Sequence, residues 1–287
     1  MPELPEVETT IRGLNNYLQK GIIEKVNVFR ADLRYEIPSD LTQKLKWGTI
    51  HSITRRSKYI VVEIDNKNST FTALIHLGMS GSMQIEKSPT RLNKHDHVEW
   101  VIMTSSGRYY LRYNDPRRFG CIVMQQGNAF EVLKSHKLTN KLGPEPLTSD
   151  FNSEYLVMKI HNRKSSIKQL IMNQHIVVGV GNIYASEALF LAKVNPHLLG
   201  NSITDHQAKL IVVMIKMVLK KAIEKGGTTL RNFVNSEGKP GYFQQELWVY
   251  GREGLLCKKC LKVNIEREVI AQRSTFYCPN CQYINKK

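Results

Sequence analysis

The segment LGPEPLTSD, residues 142–150, divides the 287-residue chain into two halves of different character. Its two prolines, its glycine and its small polar residues do not sustain a helix or a strand, because proline lacks the backbone donor and glycine has the most conformational freedom to lose. On the N-terminal side the apolar residues come in β-type runs: IIEKVNVF (22–29), IHSITRRSKYIVVEI (50–64), FTALIHLGM (71–79), HVEWVIM (97–103) and RYYLRY (108–113). Turn clusters such as DNKNS and TSSG separate several of them. On the C-terminal side SSIKQLIM and NIYASEALFLA read as two short helices joined by NQHIVVGVG. A longer helix starts at the capping-box pattern Thr204-x-x-Gln207 and stops at Gly226-Gly227. The pattern predicts an α+β protein with a largely antiparallel sandwich or barrel first and a helical module second.

One helix is expected ahead of the β-rich half. In MPELPEVETT and its continuation, Val7, Ile11, Leu14 and Leu18 fall at steps of four, three and four, the spacing of a helix with one buried face. Pro5 suits the first helical position, and Glu6 and Glu8 sit in the first turn, where the helix dipole favours carboxylates. That account leaves Pro2 and Glu3 unexplained.

The formal charge is +16, and +11 of it lies in residues 151–287, which hold 20 Lys and Arg against 9 Asp and Glu. A polyanion suits such a surface, because each neutralised phosphate releases counterions. The most apolar helical stretch, Leu210 to Leu219, is interrupted by Lys216 and flanked by lysines, so no membrane span is expected. The start lacks the basic-then-apolar pattern of a secretory signal. The chain is therefore expected in the cytoplasm. No internal repeat is present, and GVGNIY departs from the dinucleotide fingerprint because Tyr184 stands where its third glycine belongs.

Four of the five cysteines form two C-x2-C pairs, Cys257 with Cys260 and Cys278 with Cys281, seventeen residues apart. Two such knuckles let four thiolates converge on one Zn²⁺, with the intervening residues folded as a hairpin. Two disulfides are the alternative, disfavoured because nothing else points to an oxidising compartment. Four cysteine ligands leave no open coordination position, so the expected metal is structural. Cys121 precedes Ile122 and Val123 and reads as a buried strand residue.

PELPEVE at the start, HLGMSG (76–81), DPRRFG (115–120), VVGVGNIYASE (177–187), GGTTL (226–230), GKPGYF (238–243) and the terminal cysteine pairs together resemble the formamidopyrimidine-DNA glycosylase family, in order and over nearly the whole chain. The family usually has sixteen residues between the cysteine pairs, so this hairpin is one residue longer. The resemblance implies that Met1 is removed and that the amine of Pro2 is the nucleophile. A secondary amine attacking a sugar carbon yields an iminium with no N–H proton to lose, a lasting electron sink for elimination. A terminal amine, with a reference pKa of about 8, is also more often neutral near pH 7 than a lysine is. Glu3 is implied as the acid that protonates the sugar ring oxygen, Lys58 as a lysine near the lesion and its phosphate, and Glu6 as a supporting acid at the lesion pocket.

The target base must leave the stack, and something must fill the gap. The resemblance assigns Met79 to the vacated space, Phe119 to a wedge between base pairs and Arg117 to the orphaned cytosine, although local pattern alone makes Met79 and Phe119 core side chains and Arg117 a phosphate contact. It adds His97, Asn182 and Arg273 to the DNA-binding set, with Asn182 at an N-cap position of a helix–two-turn–helix module, and Lys164 and Lys168 as charges just upstream. Thr228, Thr229 and Tyr242 are implied lesion contacts in the loop 226–243. The expected organisation is a catalytic β-sandwich with its N-terminal helix (1–134), a linker (135–150), a helical DNA-binding domain with the two-turn module and the lesion-capping loop (151–242), and a β-hairpin zinc finger (243–287). DNA is expected in the cleft between the two halves. The implied enzyme is a nucleoid-associated monomer that acts on double-stranded DNA. It removes 8-oxoguanine and formamidopyrimidines through a Schiff base at Pro2, then cleaves the strand by β- and δ-elimination. The alternatives are an endonuclease VIII-like glycosylase for oxidised pyrimidines and a non-catalytic zinc-finger protein that binds DNA.

Overall fold

The computed structural model describes residues 2–67, 69–228 and 243–283. They form two compact units, Met1–Lys141 with Lys225–Tyr242, and Leu142–Glu224 with Phe243–Lys287.

The first unit opens with α1 (Leu4–Leu18) and continues through β1 (Ile22–Val28), α2 (Leu41–Leu45), β2 (Thr49–Arg56), β3 (Tyr59–Asn66), β4 (Ser69–His76), β5 (Ser82–Glu86), β6 (Asp96–Thr104), β7 (Gly107–Asn114), β8 (Cys121–Gln126) and α3 (Ala129–Ser135). All strand pairs are antiparallel, in the order β5-β7-β6-β1-β2-β3-β4-β8. Strands β1 and β2 share a single partner pair, Ile22 with Thr49. The sheet thus consists of two four-stranded halves that meet at one corner. Ile23, Ile53, Ile75, Trp100 and Leu111, from both halves, pack in one core. That is the expected sandwich.

The periodic residues of α1 lie in this core, with Val7, Leu14 and Leu18 at 0% exposure and Ile11 at 4%. Burial of that stripe fixes the helix, and hence its N-terminus, against the sandwich. The run 50–64, read as one segment, is a hairpin: the chain turns at Ser57, whose φ is +56°, between β2 and β3. No glycine or proline marks the turn, so periodicity alone could not find it.

The second unit contains α4 (Ser153–Ile160), α5 (Ile167–Ile171), α6 (Asn182–Leu191), α7 (Asp205–Glu224), β9 (Glu266–Ile270) and β10 (Arg273–Tyr277). The capping box at the start of α7 is present: the Thr204 hydroxyl accepts the Gln207 amide at 3.2 Å, and Gln207 Oε1 accepts the Thr204 amide at 3.0 Å. Between α5 and α6 the chain buries Val177, Val178 and Val180, with Gly179 at φ +78°. This is the two-turn connection. Strands β9 and β10 pair antiparallel around the two-residue turn Ala271-Gln272, where both φ angles are positive. The hairpin's Phe276 packs with Phe190 of α6 and with Val249, Cys257, Ile265 and Cys278.

Candidate active site, metal centre and nucleic-acid contacts

Pro2 and Glu3 sit at the start of α1, which the core holds in place. Pro2 is buried, and Glu3 and Glu6 are each 2% exposed. Glu6 is a double acceptor. Its Oε2 takes the Glu3 amide proton at 2.8 Å, and its Oε1 takes the Thr228 amide proton at 2.8 Å. Gly227 lets the chain pass this close: its φ is +84°, and a Cβ there would stand 3.1 Å from Glu6 Oε1 and 3.2 Å from its Cγ. The helix-capping reading therefore holds for Glu6. It caps α1 and ties residue 228 to it. Thr229 and Tyr242 lie outside the described residues.

Lys58 is half-buried in the β2–β3 turn, where Arg55 Nη1 donates to the Ser57 carbonyl at 3.0 Å. Its charge reaches His76. Burial, then the cations of Lys58 and Arg34, push the His76 imidazole down to about 4. The neutral ring accepts the Gly78 amide at Nδ1, 2.9 Å away, and rests against Tyr59.

The nominated gap-filling residues stand on two turns. Met79, 40% exposed, tips the turn between β4 and β5, which is closed by the Gly81 amide donating to the Leu77 carbonyl at 2.8 Å. Phe119, 48% exposed, lies in the loop 115–120 between β7 and β8, with the Arg117 guanidinium 4.7 Å above its ring. Both apolar side chains face water, so the core reading is excluded for each. His97 is 4% exposed, and its Nε2 lies 2.8 Å from the Asp115 carbonyl. A carbonyl only accepts, so Nε2 carries the proton and His97 braces the loop. Arg118 takes φ +58° and pairs with Asp32 at 2.6 Å. Cys121 is buried on β8, and burial raises its thiol to about 11. It is inert there.

In the second unit α6 begins at Asn182 with Gly181 as the N-cap, one residue earlier than the sequence suggests. Asn182 Nδ2 donates to the Ser274 carbonyl at 2.8 Å. Lys168, only 1% exposed, donates to the same carbonyl at 3.0 Å and to Thr275 Oγ1 at 2.7 Å. Both side chains clasp the hairpin that carries Arg273. Arg273 is exposed and, with Lys168, Gln169, Met172, Ile270 and Ala271, lines a recess of about 240 Å³. Lys164 is exposed between α4 and α5.

Sequence reasoning missed Glu187, which lay inside a quoted motif. It is 1% exposed and accepts the amides of Trp248, Val249 and Tyr250 at 2.8, 3.0 and 2.8 Å, fastening the approach to the cysteine module onto α6. Burial raises its carboxyl, and the three donors oppose that rise.

The sulfurs of Cys257, Cys260, Cys278 and Cys281 all lie within 4.8 Å of one another, with Cys257–Cys281 at 4.0 Å and Cys260–Cys278 at 3.7 Å. A tetrahedral zinc with bonds of about 2.3 Å sets its sulfurs about 3.8 Å apart. Disulfides would need about 2.05 Å. The four thiols fit one structural zinc ion.

Three family models match the chain: the formamidopyrimidine-DNA glycosylase N-terminal domain over residues 1–122, the formamidopyrimidine-DNA glycosylase H2TH domain over 142–234, and the zinc finger found in FPG and IleRS over 264–282. Among curated relatives, the formamidopyrimidine-DNA glycosylase of Saccharophagus degradans is 48% identical over 98% of this chain and 100% of its own. That of Aliivibrio fischeri is 47% identical over the full length of both. Among solved structures, a Lactococcus lactis FPG mutant with a Fapy-dG containing DNA and the Lactococcus lactis Fpg with an abasic site containing DNA each match with a TM-score of 0.88. Each is 31% identical over 99% of this chain and 100% of the other. Among the described residues no helix is long and apolar enough to cross a membrane.

Proposed function

The chain belongs to the formamidopyrimidine-DNA glycosylase family, and on that premise we propose that it excises oxidised purines from duplex DNA in base excision repair and then cleaves the strand at the abasic site. The observation that carries the reading is the buried Pro2-Glu3 pair on a helix end fastened by Glu6. With Met1 removed, the Pro2 amine attacks the sugar carbon that bears the lesion, and the damaged base leaves. Glu3 protonates the ring oxygen as the sugar opens. The resulting iminium withdraws electrons from the sugar, so the 3′ phosphate departs by β-elimination and the 5′ phosphate by δ-elimination.

The supporting contacts are assigned as follows. Lys58 serves the lesion and its phosphate, and Glu6 and Thr228 build the lesion pocket. Met79, Phe119 and Arg117 fill the gap and meet the orphaned cytosine. His97, Lys164, Asn182 and Arg273 serve the DNA backbone, which sets register and orientation without reading sequence. The +16 charge supports association with the nucleoid.

Borohydride trapping tests the chemistry. A duplex carrying 8-oxoguanine opposite cytosine should yield a covalent protein–DNA adduct through Pro2, absent in Pro2→Gly, while Glu3→Gln should lose base release. Full trapping in both variants would reject these roles. Faster release of 5-hydroxyuracil than of 8-oxoguanine would favour an oxidised-pyrimidine enzyme instead.

A further inference from the structure

We propose that the turns at the C-terminal end of α1 form a docking surface for a partner protein, with Trp47 and Ile22 as its apolar centre and Lys20, Lys46 and Lys67 as its rim. The occupant is an acidic segment that carries an apolar or aromatic side chain. The surface is separate from the excision chemistry: Pro2 and Lys20 flank opposite ends of the 15-residue α1, about 20 Å apart along its axis.

Three turns meet at this end of the sandwich. In the first, after α1, the Lys20 amide donates to the Ile50 carbonyl at 3.1 Å. In the second, between α2 and β2, the Trp47 amide donates to the Ile23 carbonyl at 2.7 Å. The third, between β3 and β4, is tied to the second by Asn66, whose Nδ2 donates to the Lys44 and Lys46 carbonyls at 2.6 and 3.2 Å. Each turn holds a residue other than glycine in the left-handed region: Lys20 at φ +61°, Trp47 at +65° and Lys67 at +51°. Glycine adopts that conformation without steric penalty, whereas a side chain is strained there. Trp47 is also 59% exposed. Ile22, whose strand partner Thr49 lies two residues beyond Trp47, is 41% exposed. Neither the strain nor the exposure of a tryptophan helps the fold, and such outliers mark binding surfaces. The bonded turns present the indole in a fixed place, so little order remains to be gained on binding.

The charges select the occupant. The acids that flank these turns are already engaged: Asp40 pairs with Lys44 at 2.6 Å, Glu24 pairs with Arg108 at 2.7 Å, and Asp65 accepts the Thr70 hydroxyl at 2.8 Å and lies 3.3 Å from His51. Lys20, Lys46 and Lys67 are exposed and, among the described residues, make no ion pair. Lys46 Nζ lies 5.7 Å from the Trp47 ring centroid, so cation and indole are offered together. A duplex backbone would answer the three cations and leave Trp47 and Ile22 in water. An acidic segment with an apolar side chain answers both, as an anchor residue seated inside a charged rim.

The test uses the full-length, zinc-loaded enzyme and a fluorescein-labelled peptide of alternating aspartate and leucine with one central phenylalanine, beside the same peptide with asparagine in place of aspartate. Binding is read by anisotropy without DNA, so the outcome does not depend on the lesion assignment. The acidic peptide should bind at least about 10-fold more tightly than the asparagine one. Trp47→Gly, and separately Lys46→Gln with Lys67→Gln, should each weaken it at least about 5-fold, with single-turnover excision unchanged. Trp47→Gly removes the left-handed strain, so its melting temperature should hold or rise while binding falls. No binding of the acidic peptide, equal binding of the asparagine peptide, or full binding to folded Trp47→Gly would overturn the proposal. Displacement of the peptide by a single-stranded oligothymidine whose own binding is lost in Trp47→Gly would also overturn it, by making the surface a nucleic-acid one.

Discussion

Glu6 accepts the backbone amide of Glu3 at 2.8 Å, in a contact where both carboxylate residues are 2% exposed. The acid that caps the helix thereby fixes the direction in which Glu3 and Pro2 extend from its N-terminal end. The same carboxylate accepts the Thr228 amide, so two segments separated by more than two hundred residues meet at one side chain.

Replacing Glu6 with alanine should therefore leave two buried amides without their acceptor. A buried donor left unsatisfied costs about 1–3 kcal/mol. Urea unfolding should report a loss of at least about 2 kcal/mol for Glu6→Ala and a smaller one for Glu6→Gln, which keeps one acceptor oxygen. Adduct yield under borohydride should fall with stability in both variants. An unchanged midpoint in Glu6→Ala would show that the two amides find other acceptors.

His76 gives the stability a signed pH dependence. Its imidazole titrates near 4 in the folded chain against 6.5 unfolded, chiefly through burial. Between those values the unfolded chain binds the proton that the folded chain refuses. Stability from this group is complete above about pH 6.5 and declines as pH falls toward 4, by on the order of 3 kcal/mol in total. His76→Gln should flatten that part of the curve of unfolding free energy against pH. A parallel curve in the variant would place the dependence elsewhere.

Removal of zinc should unfold the cysteine module. The cluster Phe190, Val249, Ile265 and Phe276 is small, and two cysteines belong to it. A core of that size depends on its metal. Chelation should abolish binding to lesion duplex while the far-ultraviolet signal of the β-sandwich persists, and added Zn²⁺ should restore binding. Retention of full affinity without metal would contradict the structural role.

For Arg273 the expected signature is electrostatic. Arg273→Ala should reduce the slope of log affinity against log salt by about 0.9, one phosphate's worth, without changing the preference for lesion over normal duplex. Glu187→Gln, which disturbs the three amides on the approach to the module, should weaken binding through stability instead, with a lower melting temperature and an unchanged slope.

Much of the site was legible because its demands are local. Two cysteines three apart can face one metal whatever surrounds them, and the α1 stripe declares its buried face in the same way. Local pattern made Met79 and Phe119 core side chains, a reading that their exposure on turns overturns. What stayed hidden depends on distant partners. Asp115 reads as a turn residue until Ser80, 35 positions away, is placed beside it, and Lys168 reads as a surface charge until its bond to Ser274, 106 positions on, buries it. Glu187 likewise serves amides some sixty residues downstream. A single sequence carries no record of such pairings. Ser57 was missed for another reason: a non-glycine residue at positive φ leaves no mark on a hydrophobic pattern.

The chain returns at Lys225 to the unit it left after Lys141, and the Thr228 amide is what it brings back. The halves on either side of LGPEPLTSD are consequently not exchangeable cassettes. A truncation at residue 141 would keep every strand of the sandwich yet strip Glu6 Oε1 of its donor from Thr228, and a swap of C-terminal halves between relatives would have to carry a compatible Gly227-Thr228 with it. Modular engineering of this chain has to cut at three places, not one.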